Sequence, residues 1–74
     1  MSKIERKVLG ALLILCDKEH KVHNITIDTI ANAMGYKKSG GAISFALKIL
    51  EYENHIAVKK NADNTRIEYI EVLM

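Results

Sequence analysis

An α+β fold, mainly α, is predicted for this 74-residue chain: a three-helix bundle followed by a C-terminal two-stranded β-hairpin. Three observations carry that expectation. Apolar residues recur at helical spacing in successive segments ahead of Asn54. Beyond it, apolar residues alternate with small or polar ones on both sides of the turn-rich Asn61-Ala62-Asp63-Asn64-Thr65. A composition of 49% hydrophobic and 27% charged residues suits a chain that folds, and its length suits a single domain spanning residues 1–74.

The first helix is expected from about Lys3 to Asp17. Ile4, Val8, Ala11, Leu12 and Leu15 fall on one face, and Ser2 with Glu5 three residues later reads as a capping box. A second apolar row, Leu9, Leu13 and Cys16, widens the stripe. This helix is therefore either central to the core or shared with a partner. Asp17 to Asn24 reads as polar and turn-like. Ile25-Thr26-Ile27 is either a brief strand or the lead into a helix cap, with Thr26 as the N-cap. Helix 2 follows from about Ile27 to Met34 on Ile27, Ile30, Ala31 and Met34, and Gly35 supplies a left-handed terminator. After the basic turn Tyr36-Lys37-Lys38, Ser39 caps helix 3, expected from about Gly40 to Glu53. Its inward row is Ile43, Ala46 or Leu47, and Leu50, and Asn54 turns the chain out of it. Ile56-Ala57-Val58-Lys59-Lys60 and Arg66 to Val72 then form the hairpin, each strand with one face on the helices.

Cys16 is the sole cysteine, so no intrachain disulfide forms and a reducing, cytoplasmic setting is expected. The apolar run from Val8 to Cys16 is interrupted by Gly10 and followed by Asp17, Lys18 and Glu19, which argues against a leader peptide. It is also far short of the roughly 20 residues that span a bilayer. The net charge of +2 is too small to identify a polyanionic partner by itself. Its distribution says more. Between Lys37 and Arg66 lie six basic residues (Lys37, Lys38, Lys48, Lys59, Lys60, Arg66) against three acidic ones (Glu51, Glu53, Asp63).

The order helix, short strand, helix, basic turn, helix, hairpin resembles a winged helix-turn-helix domain. Ile27 to Gly35, reading I-D-T-I-A-N-A-M-G, looks like that family's positioning helix, with Ala31 four residues before Gly35. Ile43 to Glu51 followed by Tyr52 to Val58 resembles the recognition-helix-into-wing pattern of small prokaryotic and viral regulators and replication initiators. Two features depart from the pattern: the turn from Gly35 to Ile43 is long, and the recognition helix opens on Gly40 and Gly41, which carry no side chains to read bases.

The resemblance implies that helix 3 enters the major groove of double-stranded DNA while the wing lies on the backbone. On that frame Lys37, Lys38, Lys48, Lys59, Lys60 and Arg66 would neutralise phosphates. Ser39, Ser44, Asn61, Asn64 and Thr65 would donate hydrogen bonds, and the amides of Gly40 and Gly41 would grip a phosphate at the helix start. Each lysine has a plainer reading as a solubilising surface charge. Because one small module buries little DNA-contact surface, a homodimer is expected, joined through Leu9, Leu13 and Cys16 or through Val72-Leu73-Met74.

Phe45, Ile49 and Tyr52 form an apolar row on helix 3. Either the row is core, with the helix rotated or the hairpin folded over it, or it is a surface for a protein partner or a second copy. Tyr36 and Tyr69 are each a core edge or a surface contact. Cys16, His20 and His23 offer only three ligand types where structural zinc takes four, so no metal is expected. No phosphate-binding glycine motif or nucleophile elbow occurs, and no Ser or Cys has a matched His and acid; neither catalysis nor a cofactor is expected. Two functions follow: a DNA-binding transcriptional regulator or replication or partition accessory protein, or a protein-interaction module built on the same frame. Salt dependence separates them.

Overall fold

The computed structural model describes residues 1–36 and 41–73, and the elements run α1 (Lys3–Leu15), β1 (Lys21–His23), α2 (Ile27–Ala33), α3 (Gly41–Tyr52), β2 (Ile56–Lys60) and β3 (Ile67–Val72). The basic Lys37-Lys38 of the expected turn, the expected cap Ser39 and the expected helix start Gly40 lie outside those residues. Ser2 caps α1, its Oγ accepting from the Glu5 amide at 3.3 Å and donating to the Glu5 carboxylate at 2.6 Å. That bond gives the buried Glu5 side chain a partner at the edge of the core. The helix stops two residues before Asp17, because Cys16 is already extended and Asp17 serves the next turn instead. Its carboxylate accepts from the amides of Glu19 at 2.8 Å and Lys21 at 3.0 Å.

Thr26 is the N-cap of α2, accepting from the Thr29 amide at 3.2 Å, so Ile25-Thr26-Ile27 leads into a cap and is not a strand. Gly35 ends the helix at a φ of 82°, as its type allows. Asn54 leaves α3 at a φ of 62°.

The sheet has three antiparallel strands in the order β1-β3-β2, where the sequence predicts two. The added strand, Lys21-Val22-His23, falls in a stretch that reads as turn. Left-handed His20 and Asn24 bracket it, and it pairs with Tyr69 to Glu71. One buried residue, Val22, is too little to write an alternating pattern; the backbone of β3, which would otherwise be an open edge, makes this segment a strand. Between Lys59 and Lys60 the pairing slips by one residue, leaving Glu68 as a bulge whose carbonyl accepts from the Asn24 amide at 3.1 Å. Arg66 thereby falls in the connecting turn and not in β3.

The helices cover one face of the sheet. Val8, Leu9, Ala11 and Leu12 of α1, Ile30 and Ala31 of α2, and Ile43, Ala46, Leu47 and Leu50 of α3 close on Val22, Ile56, Ile70 and Val72. Both Ala46 and Leu47 point inward, so α3 buries a broader strip than a single row. By the strand period of two, Lys21 and His23, Ala57 and Lys59, and Tyr69 and Glu71 take the opposite face, which no helix covers.

Candidate nucleic-acid interface

One strip of α3 looks toward the hairpin. Residues four apart share a helix face, and Ser44 and Lys48 lie on the flank of α3 next to the inward Leu47. Across from them the hairpin contributes Lys60, whose strand neighbours Ile56 and Val58 point to the core, so that Lys60 emerges on the helix side of the sheet. The result is a groove made of two adjoining hollows. Ser44, Lys48, Glu51, Val58 and Lys60 line the inner one. The outer one runs from Thr26 and Ile27 at the start of α2, past Ser44 and Lys60, to Asn64, Thr65 and Arg66 in the turn.

The turn that carries the outer wall is held by the Asn61 side chain together with backbone hydrogen bonds. Asn61 accepts from the Thr65 amide at 2.9 Å and the Arg66 amide at 3.4 Å through Oδ1, and donates to the Thr65 hydroxyl at 2.9 Å through Nδ2. Asn64 closes the turn in the left-handed region, its amide donating to the Asn61 carbonyl at 3.0 Å. Asn61 is therefore committed to shaping the loop, while the Thr65 hydroxyl proton, the Asn64 side chain and the Arg66 guanidinium remain at the groove rim.

The sequence-predicted residues thus divide. Ser44, Lys48, Lys60, Asn64, Thr65 and Arg66 converge on the groove. Gly41 is the exposed first residue of α3, and Lys37, Lys38, Ser39 and Gly40 lie outside the described residues. Lys59 departs from its expected place: it pairs with Tyr69 and shares that residue's face of the sheet, away from α3. Thr26, Ile27 and Glu51 join the groove without having been singled out. Thr26 is visible in the sequence only as a cap, and Glu51 only as a charge on helix 3, seven residues after Ser44. Glu51 lines the same hollow as Lys48 and Lys60, and its negative charge narrows the part of the groove that would tolerate a phosphate.

No family model, curated protein or solved structure matches this chain. Its functional reading therefore rests on its own geometry.

The apolar row of α3 is not core. Phe45 is 55% and Tyr52 88% exposed, with Ile49 half-buried between them, because the inward strip through Ile43, Leu47 and Leu50 turns this row to the flank away from the groove. The expected contact row on α1 splits in the same way: Leu9 is buried, Leu13 is exposed, and Cys16 packs partly against the core. At the C-terminal end Val72 is buried while Leu73 is exposed, and Met74 lies outside the described residues. Tyr36 is a surface residue with the Lys7 ammonium 5.6 Å from its ring centroid. Tyr69 is half-buried on the uncovered sheet face, with the His23 ring centroid at 5.6 Å and the Lys21 ammonium at 5.1 Å from its own. Among the described residues no three His, Cys, Asp or Glu side chains gather as a metal site, and no helix is long and apolar enough to cross a membrane.

Proposed function

We propose that this chain is a winged-helix protein that binds double-stranded DNA without catalysing a reaction on it, as a transcriptional regulator or a replication or partition accessory protein. In this reading it acts in the cytoplasm as a homodimer. The observation that carries the reading is the groove: Ser44 and Lys48 on α3 face Lys60, Asn64, Thr65 and Arg66 of the hairpin, so that a helix and a β-turn can engage one duplex together. The element order, with a short strand between the first two helices and a hairpin after the third, supports it further. Lys48, Lys60 and Arg66 supply charge for phosphates, and Ser44 is the groove side chain placed to reach a base edge. The test is fluorescence anisotropy of a random-sequence duplex at low and at physiological salt, with molar mass from light scattering. Micromolar binding that weakens steeply with salt is expected; absence of binding at low salt would overturn the reading.

Phe45 and Tyr52 favour a second reading, a protein-interaction module, because two exposed aromatic side chains seven residues apart make an anchor of the type partner proteins use. The same row supplies a second-copy contact in the DNA-binding reading. Phe45→Ser is expected to lower the molar mass to that of a monomer if the row joins two copies, and to leave a monomer unchanged if it serves another protein.

A further inference from the structure

We propose that the notch where β1 stops short of β3, which adjoins the α3 groove and shares Thr26 and Arg66 with it, binds a nucleoside monophosphate unit. The strand β1 has three residues and pairs only with Tyr69 to Glu71, whereas β3 begins at Ile67. Beyond His23 the chain turns at left-handed Asn24 toward the cap of α2, leaving an open hollow of about 480 Å³ beside the start of β3. That volume falls within the range of small-molecule sites.

The lining has the mixed chemistry of a nucleotide site. His23 and Tyr69 contribute two aromatic rings to the lining, with centroids 5.6 Å apart and planes tilted by 50°, and a base can pack against either one. Arg66 lines the same hollow and offers a planar, permanently charged fork to a phosphate. The side-chain carboxamide of Asn24 and the side chain of Glu68 supply a donor and an acceptor for sugar hydroxyls or base edges. A carboxylate on the wall disfavours a bare anion, and the polar side chains disfavour an apolar ligand; a molecule with a ring, hydroxyls and one anionic end satisfies the set. The Asn61 clasp fixes the backbone from which Arg66 projects.

The test is a titration of the isotopically labelled full chain with AMP, followed by amide chemical shifts, with adenosine and inorganic phosphate as separate controls. Saturable shifts centred on His23, Asn24 and Tyr69, about tenfold tighter for AMP than for phosphate, are expected. Arg66→Gln is expected to weaken AMP about tenfold, and Tyr69→Leu to bring AMP down to the affinity of phosphate alone. Lys60→Ala leaves AMP binding unchanged and weakens duplex binding, so this site and the DNA reading stand or fall separately. A 5′-phosphorylated oligodeoxyadenylate distinguishes the sources: tighter binding than AMP assigns the notch to single-stranded nucleic acid, and weaker binding assigns it to free nucleotide. No saturable shift with either probe, or equal response to AMP and phosphate in the wild-type chain, would overturn the proposal.

Discussion

Asp17 shows how one side chain starts a strand. Its Oδ1 accepts from the Glu19 and Lys21 amides, and its Oδ2 lies 3.5 Å from His23 Nε2, so the carboxylate closes the turn that delivers Lys21 into β1. The Lys21 amide lowers its pKa below the ordinary 3.8 against an opposing desolvation, with further lowering from the Glu19 amide and the charges of His23 and Lys21. A depressed folded-state pKa contributes stability that is complete above the unfolded value and lost as pH falls through the folded one. The contribution is therefore constant at neutral pH and declines below about 3.8. Asp17→Asn keeps an acceptor for the turn but cannot titrate. Its urea midpoint is expected to fall less than that of the wild type as pH drops below this value. An acid limb of the same steepness in both proteins would show that Asp17 does not contribute to it.

At the scale of elements, the parts legible in the sequence are those written by local chemistry. Ser2, Thr26, Gly35 and Asn54 mark helix ends because capping and left-handed geometry are set by one or two residues, and the structure uses all four. The inward strip of α3 is legible for the same reason. What was not legible depends on tertiary context. Strand β1 exists through the backbone of β3, and the placing of Lys59 opposite Lys60 follows from which face the helices cover. The exposure of Phe45 and Tyr52 could not be settled from spacing, since an apolar row at the flank of a helix reads the same whether covered or not.

Glycines expose the same division within the helices. Gly10 lies inside α1 and Gly35 just past α2, and an added methyl would meet no heavy atom within 4 Å at either. Backbone conformation alone then decides the sign. Gly10→Ala is expected to stabilise by about 1 kcal/mol through helix propensity. Gly35→Ala, at a φ of 82°, is expected to destabilise by about 1 kcal/mol. For a chain of this size each corresponds to roughly 4–8 °C in Tm, in opposite directions. A thermal melt that moved the same way for both would mean that packing decides at one of them.

For the whole molecule, the sheet acts as a partition. The helices and the groove lie on one side, and Lys21, His23, Lys59 and Tyr69 lie on the other, so two adjacent lysines of one strand serve different faces. Composition alone treats Lys59 and Lys60 as a pair that would act on DNA together. Geometry makes them a matched test of the proposed interface, since the two share a charge, a strand and an exposed position. A lysine that neutralises a phosphate releases about 0.9 of a counterion, which appears as a change of about one unit in the slope of log K against log salt. Lys60→Ala is expected to weaken duplex binding at every sequence and to flatten that slope by about one unit, whereas Lys59→Ala is expected to leave the slope within error of the wild type. Equal flattening by both would mean that the duplex feels only the overall charge of the hairpin. A change confined to Lys59 would move the duplex to the uncovered face of the sheet.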